Sequence, residues 1–224
     1  YWPAFSLSQA LSTGHKKEII MVKNFSRAFA ALFVLFLAGS SVTYSQIPKD
    51  NAFPDVKIKN FGAMDERFYR GAQPKQADYL ALKNLGITTV IDLKDDPEPY
   101  AKSTVEGLGM RYVHIPIVGK SYPTPEHVAA FLQTVDDPAT GKFFVHCAGG
   151  RHRTGNMGAI YRFEKYGWNF DQVYKEMKDF DFYSSWGHGK QKDFVEDYAV
   201  IYEKKRAEAA AAASAAARGT VEGK

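Results

Sequence analysis

Residues 143–155 read Phe-Phe-Val-His-Cys-Ala-Gly-Gly-Arg-His-Arg-Thr-Gly. Phe143 to His146 follow a Gly141-Lys142 turn and have the bulky, apolar character of a buried strand. Gly149 and Gly150 carry no Cβ, so the backbone after Cys147 is free to curl with successive N–H groups pointing inward. A helix opening at Thr154 adds its unsatisfied N–H groups and the positive end of its dipole. Strand, glycine loop and helix N-terminus together make a cradle for a tetrahedral dianion. Arg153 can add two parallel donors to its oxygens, a fork that lysine lacks. The candidate catalytic residues are therefore Cys147 and Arg153. The candidate substrate-binding residues are Ala148, Gly149, Gly150, Arg151, His152 and Thr154.

The same cradle activates the cysteine. A free thiol has a pKa of about 8.5, and helix N-termini with nearby cations lower it to roughly 3.5–7.5. Cys147 is then a thiolate at neutral pH, able to attack phosphorus and to form a cysteinyl-phosphate that water hydrolyses. Thr154 is placed to hydrogen-bond the sulfur as it leaves. The competing reading is a buried structural cysteine before an ordinary strand-to-helix turn. The coincidence of strand, paired glycines, arginine at the sixth position and helix start argues against it.

Working outward, strands alternate with helices. Residues 56–61 (Val-Lys-Ile-Lys-Asn-Phe) alternate like a strand, and Phe68-Tyr69-Arg70 forms a short second one. Residues 76–85 have helical spacing through Tyr79, Leu80, Leu82 and Leu85, with Gly86 as a stop. Residues 87–93 are β-branched and apolar, as in a buried central strand. A helix over 99–108, a strand over 110–117 and a helix over 125–135 capped by Thr124 follow. Helices are expected over 154–166, 171–178 and 190–206. The pattern predicts an α/β fold with a mainly parallel central sheet flanked by helices, and the phosphate-binding loop between a buried strand and a helix.

The chain has 224 residues, 45% hydrophobic and 14% aromatic, with a net charge of +4. That charge suits anionic substrates and is too small and scattered to indicate nucleic acid. A single cysteine rules out an intramolecular disulfide and a multi-cysteine metal site. No His/Asp/Glu cluster has metal-ligand spacing, and the chemistry at Cys147 needs no metal or other cofactor. His114 is read as a packed strand residue, His146 as a residue that orders the loop by hydrogen bonds, and Trp186 and His188 as packing and turn residues.

The ends differ from the middle. Residues 21–45 have the three-part form of a signal peptide: Lys23 and Arg27, an apolar run from Ala28 to Ala38, then small polar residues before a cut near Gln46. The apolar run is short beside the roughly 20 residues of a membrane span. The alternatives are a buried helix or a retained anchor. With no cysteine at the cut, a lipid-modified N-terminus is excluded. Residues 1–20 precede this segment and are expected to be non-native upstream translation, with Met21 as the true start. Residues 50–206 are expected to form the one globular domain, which carries the chemistry at Cys147. Residues 207–224 are an Ala-rich tail, helix-forming but without an apolar face that could dock, and are expected to be frayed. The expected location is exported, periplasmic or secreted, with no stable membrane insertion after signal cleavage.

The run His146-Cys147 to Arg153-Thr154 resembles the signature of the protein tyrosine and dual-specificity phosphatase superfamily. Upstream, Asn60-Phe61-Gly62, Phe68-Tyr69-Arg70-Gly71-Ala72-Gln73-Pro74 and the stretch Leu85 to Leu93 resemble the front half of the atypical dual-specificity phosphatases of plants and fungi and their bacterial relatives. The resemblance covers residues 58 to 200. It implies a nucleophilic role for Cys147 and phosphate binding by Arg153. The Arg151-His152-Arg153 run resembles that of members cleaving inositol pyrophosphates.

One departure stands out. The resemblance implies an aspartic acid on the loop before the helix at Pro125, to protonate the leaving group. Here residues 118–125 contain no carboxylate before Glu126. Asp95 and Asp96, after the 87–93 strand, are the other candidates. Such an acid is worth about 10²–10⁴-fold, so its lack disfavours aliphatic phosphoesters and leaves phosphotyrosine and phosphoanhydrides. The functional expectation is hydrolysis of a phosphotyrosine-type monoester in a phosphorylated protein or small phosphate ester. The alternatives are an inositol (pyro)phosphate phosphatase, a non-catalytic phospho-ligand-binding module, or a sulfur-transfer enzyme with a loop cysteine.

Overall fold

The computed structural model describes residues 53–222. The expected upstream and signal segments lie outside the described residues. In chain order the elements are β1 (Gly62–Ala63), β2 (Phe68–Ala72), α1 (Asp78–Asn84), β3 (Thr89–Lys94), α2 (Ala101–Gly107), β4 (Arg111–Ile117), α3 (Pro125–Asp136), a 3₁₀ turn (Pro138–Thr140), β5 (Phe143–Cys147), α4 (Arg153–Tyr166), α5 (Phe170–Asp179) and α6 (Gly189–Glu222). The sheet order is β1-β2-β5-β3-β4. Only the two-residue β1 runs antiparallel to its neighbour. The other pairings are parallel, as the strand–helix alternation requires.

Strand alternation divides the core into two layers. Phe68, Ile91, Leu93, Phe143, Val145 and Cys147 face the layer shared with residues of α3, α4, α5 and α6. Tyr69, Val90 and Phe144 face the opposite layer, with Tyr79 and Leu82 of α1 and Val105 of α2. Every residue of β2, β3 and β5 is buried, so these strands carry near-continuous apolar runs. Burying each Phe or Ile side chain contributes about 1.5–3 kcal/mol. The central strand β5 lies between β2 and β3, with Cys147 paired to Ala72 at its C-terminal end. The chain order reverses at this position, which opens a crevice at the carboxyl ends of the strands.

One expectation needs correction. Residues 56–61 do not form a strand. Asn60 takes φ 53°, which turns the chain, and the alternation of half-buried Val56 and buried Ile58 with exposed Lys57 and Lys59 reflects burial of loop side chains. The Ala-rich tail continues α6, which runs unbroken through it to Glu222. Local alanine propensity continues the helix. The side chains of residues 203–218 are exposed, so propensity and not docking carries it. Among the described residues no helix is long and apolar enough to cross a membrane.

Candidate active site

Cys147 ends β5 buried to 3% exposure, and the loop 148–152 climbs from it to α4. Gly150 is the position where this loop needs glycine. Its φ is +66°, and a Cβ there would lie 2.3 to 2.5 Å from the backbone of Gly71 and Ala72. Gly149 is different: its space would accept a Cβ, since only the Arg151 side chain comes within 4 Å. The loop is tied to the strand beside it. Gln73 N–H donates to the Ala148 carbonyl at 3.3 Å. The Gly150 carbonyl accepts from Asn60 Nδ2 at 3.0 Å and from Arg70 Nη2 at 2.9 Å. With that carbonyl held outward, the Gly150 N–H is left to the sulfur side.

The Cys147 thiol is held below its ordinary pKa. Burial alone would raise it, but the Thr154 hydroxyl and N–H, the charge of Arg153 and the Gly150 N–H together outweigh burial. The Thr154 hydroxyl is itself buried and bonded to no protein oxygen or nitrogen. Its proton is therefore available to a thiolate.

Arg153 spans the sheet edge. Its Nη1 donates to the Ile117 carbonyl at 2.8 Å, to Asp95 Oδ1 at 2.8 Å and, more weakly, to the Leu93 carbonyl at 3.4 Å. All three acceptors sit at the carboxyl ends of β3 and β4. Among the described residues, Nε and Nη2 have no acceptor. The guanidinium is thus fixed by one nitrogen, with the adjacent pair of donors left for a ligand.

This geometry sorts the acid candidates. Asp95 is the carboxylate that orients Arg153. Burial would raise its pKa, but its own backbone N–H, Arg153 and the Gly119 N–H prevail and hold it below the usual range. Its contact in this structure is that of an ionised anchor for Arg153. The Asp96 side chain is 88% exposed and lies 4.0 Å from Lys94. Glu126, in the first turn of α3, is fully exposed and is held below its ordinary pKa by the Thr124 side chain and its own backbone N–H.

Other side chains depart from expectation. His146 orders nothing by hydrogen bonds: both ring nitrogens are buried without partners, and Asp92 Oδ1 is 3.8 Å from Nδ1. Burial pushes its pKa down to about 4 despite Asp92, so the ring is neutral and stacks on Phe144. The His152 ring points away from the loop interior. Its Nε2 pairs with the Tyr183 carbonyl at 3.0 Å, and the ring stacks on His188 with centroids 3.6 Å apart. Arg151 leans toward Asp181 at 3.9 Å. For His152 and Arg151 the backbone, not the side chain, belongs to the cradle. His114 is a packed strand residue, bonded to the Lys94 carbonyl at 2.7 Å. Among the described residues no group of three or more His, Cys, Asp or Glu could hold a metal ion.

A putative tyrosine-protein phosphatase, OCA1, of Mycosarcoma maydis is 31% identical over 130 residues, covering 56% of this chain and 82% of that protein. The inositol diphosphatase DSP5 of Arabidopsis thaliana is 27% identical over 151 residues, covering 63% of this chain and 71% of that one. The core catalytic domain of the PP-IP phosphatase SIW14 from S. cerevisiae, solved with citrate, shares the fold with a TM-score of 0.56 at 22% identity, covering 67% of this chain and 92% of that one. P. aeruginosa TpbA shares it with a TM-score of 0.54 at 22% identity, over 62% and 84% of the two chains. Fold, loop and relatives together define a cysteine-dependent phosphatase of the tyrosine and dual-specificity type. In particular, residues 49–197 match the family described as "DSP-PTPase phosphatase fused to NAD+ Kinase", and the chain belongs to that family.

Proposed function

We propose that Cys147 is the nucleophile and Arg153 the phosphate-binding residue in hydrolysis of a phosphotyrosine-type monoester. The carrying observation is the open Nε/Nη2 edge of Arg153 beside a thiol whose surroundings favour the thiolate. The sulfur attacks phosphorus, the P–O bond to the leaving group breaks, and water then cleaves the S–P bond. The Thr154 hydroxyl supports the sulfur as leaving group in the second step. The N–H groups of Ala148 to Thr154 hold the phosphoryl oxygens.

The loop after β4 supports a second reading, a phosphoanhydride substrate such as an inositol pyrophosphate. It has no carboxylate between Val118 and Pro125, and Asp95 is committed to Arg153. Inositol diphosphatases are among the relatives. A panel of phosphotyrosine peptides and inositol pyrophosphates separates the two readings by kcat/KM. Across aryl phosphates, the rate is expected to depend steeply on leaving-group pKa. A shallow dependence that turned steep in Glu126→Ala or Asp96→Ala would identify an acid and contradict this expectation.

We also propose that the protein is exported, to the periplasm or outside the cell, with residues 21–45 removed. The pattern of charge, apolar run and small residues supports it. N-terminal sequencing of the mature protein should begin near Gln46. Recovery from the cytosol with residues 21–45 intact would refute export.

A further inference from the structure

Arg70 sits in the middle of β2, between Phe68 and Ala72, with 1% of its surface exposed. A guanidinium cannot lose its charge readily, so burying one costs several kcal/mol unless something answers it. Among the described residues no carboxylate lies within ion-pair distance of Arg70. Its Nη2 is spent on the Gly150 carbonyl, and its Nε has no partner at all. The carboxylate whose charge acts most on it, Glu176, is already held by three hydrogen bonds from Arg162.

The surrounding chain is nevertheless shaped to keep Arg70 in place. The ring of Phe180 covers the guanidinium at 4.1 Å. That ring fits only because residue 62 is glycine: a Cβ there would lie 2.7 Å from it. On the other side, Gly155 and Gly158 of α4 face the guanidinium: Cβ atoms there would lie 3.8 and 3.4 Å from its terminal nitrogens, and the one at 158 would press on Met64 at 3.1 Å. Asn60 grips the same Gly150 carbonyl and also the Phe180 carbonyl, closing the cluster. A buried cation so housed lies under the loop that receives a dianion.

We propose that Arg70 is a positioning residue of the phosphatase site: it tethers the phosphate loop through Gly150 and provides the buried positive charge that the Cys147 thiolate and the bound phosphoryl group answer. This rests on the reading of Cys147 as the nucleophile. Burial pulls the Arg70 pKa down to about 10, while the charges of Glu176 and then Cys147 act to raise it. The coupling is reciprocal, so Arg70 favours the thiolate.

The test uses the full chain, in which Cys147 is the sole cysteine, so iodoacetamide reports on it alone. Alkylation rate against pH gives the thiolate midpoint for wild type, Arg70→Met, Arg70→Gln and Arg70→Lys. Gln keeps a donor for Gly150 without charge, and Lys keeps charge without the fork. The expected result is a midpoint raised by about one unit or more in Met and Gln, a tenfold loss of thiolate at lower pH. Lys should stay near wild type. Gln is measured beside Met so that a failure of one to fold leaves the other to decide. Arg70→Gln and Arg70→Met profiles overlying wild type, or Lys rising as far as Gln, would overturn the proposal, whatever happened to melting temperature. A wild-type midpoint near the ordinary thiol value of about 8.5 would instead overturn the reading of Cys147 itself.

Discussion

The two ends of α4 each pack beside a buried arginine, and they treat it in opposite ways. Near the C-terminal end, Arg162 is bound by Glu176 through Nε at 3.2 and 2.9 Å and through Nη2 at 2.6 Å, donates to the Met64 carbonyl, and lies against the rings of Tyr166 and Trp168. Its charge is answered within the fold. Near the N-terminal end, among the described residues, Arg70 is ion-paired to no carboxylate, and Arg153 is paired to one through a single nitrogen with two others open. A charge answered by the fold serves stability. A charge left partly open is costly to the folded chain and makes sense where a ligand supplies the rest.

The largest expected effect breaks the satisfied end. Glu176→Gln leaves Arg162 buried without its counter-charge, which costs about 3–5 kcal/mol, read from urea unfolding. Turnover per folded molecule should be largely kept. Loss of activity without loss of stability would reverse the roles assigned to the two ends.

At the open end, Gly150→Ala should do the converse. A Cβ cannot fit against Gly71 and Ala72, so the loop must shift. A displacement of about 1 Å in a reacting geometry costs roughly 10²-fold, seen in kcat/KM on an aryl phosphate. Gly149→Ala, with space for a Cβ, should be nearly silent, and equal effects at the two positions would contradict the account of the loop. A smaller loss, about tenfold, is expected for Asp95→Asn, because Arg153 keeps its carbonyl anchors. Phosphate or vanadate inhibition should weaken in parallel. An effect of Asp95→Asn confined to poor leaving groups would mark it as the acid after all.

The smallest effect is on pH. The folded pKa values of His146 and His152 are both pushed down to about 4, chiefly by burial. Unfolded histidines titrate near 6.5. Between those values the unfolded chain binds more protons, so stability is expected to fall as pH drops from about 6.5 towards 4. Urea midpoints across that window should decline, and His152→Gln should flatten the decline. Midpoints independent of pH there would contradict the burial of neutral rings.

Much of this was legible in residues alone, and the misses share a cause. Strand–helix alternation and the stretch from Phe143 to Gly155 suffice for the α/β sheet and the loop, because hydrophobic period and glycine placement are local signals. Val56 to Phe61 misled because inward Val56 and Ile58 beside exposed Lys57 and Lys59 in an irregular segment mimic a strand's period. In the tail, alanine propensity extends the helix although its side chains stay exposed. The roles of Asp95 and Arg70 depend on what meets them across the sheet, from residues 58 and 80 positions away. One signal for Arg70 was present: a lone charge inside an otherwise apolar strand, beside a glycine.

The central claim is tested most directly by trapping the intermediate. Protein mixed with an excess of aryl phosphate, quenched with acid and mapped by mass spectrometry should carry phosphate on Cys147. Cys147→Ser should give neither label nor turnover, while still binding vanadate. Steady turnover by Cys147→Ser, or turnover by wild type with phosphate trapped on another residue, would contradict the account.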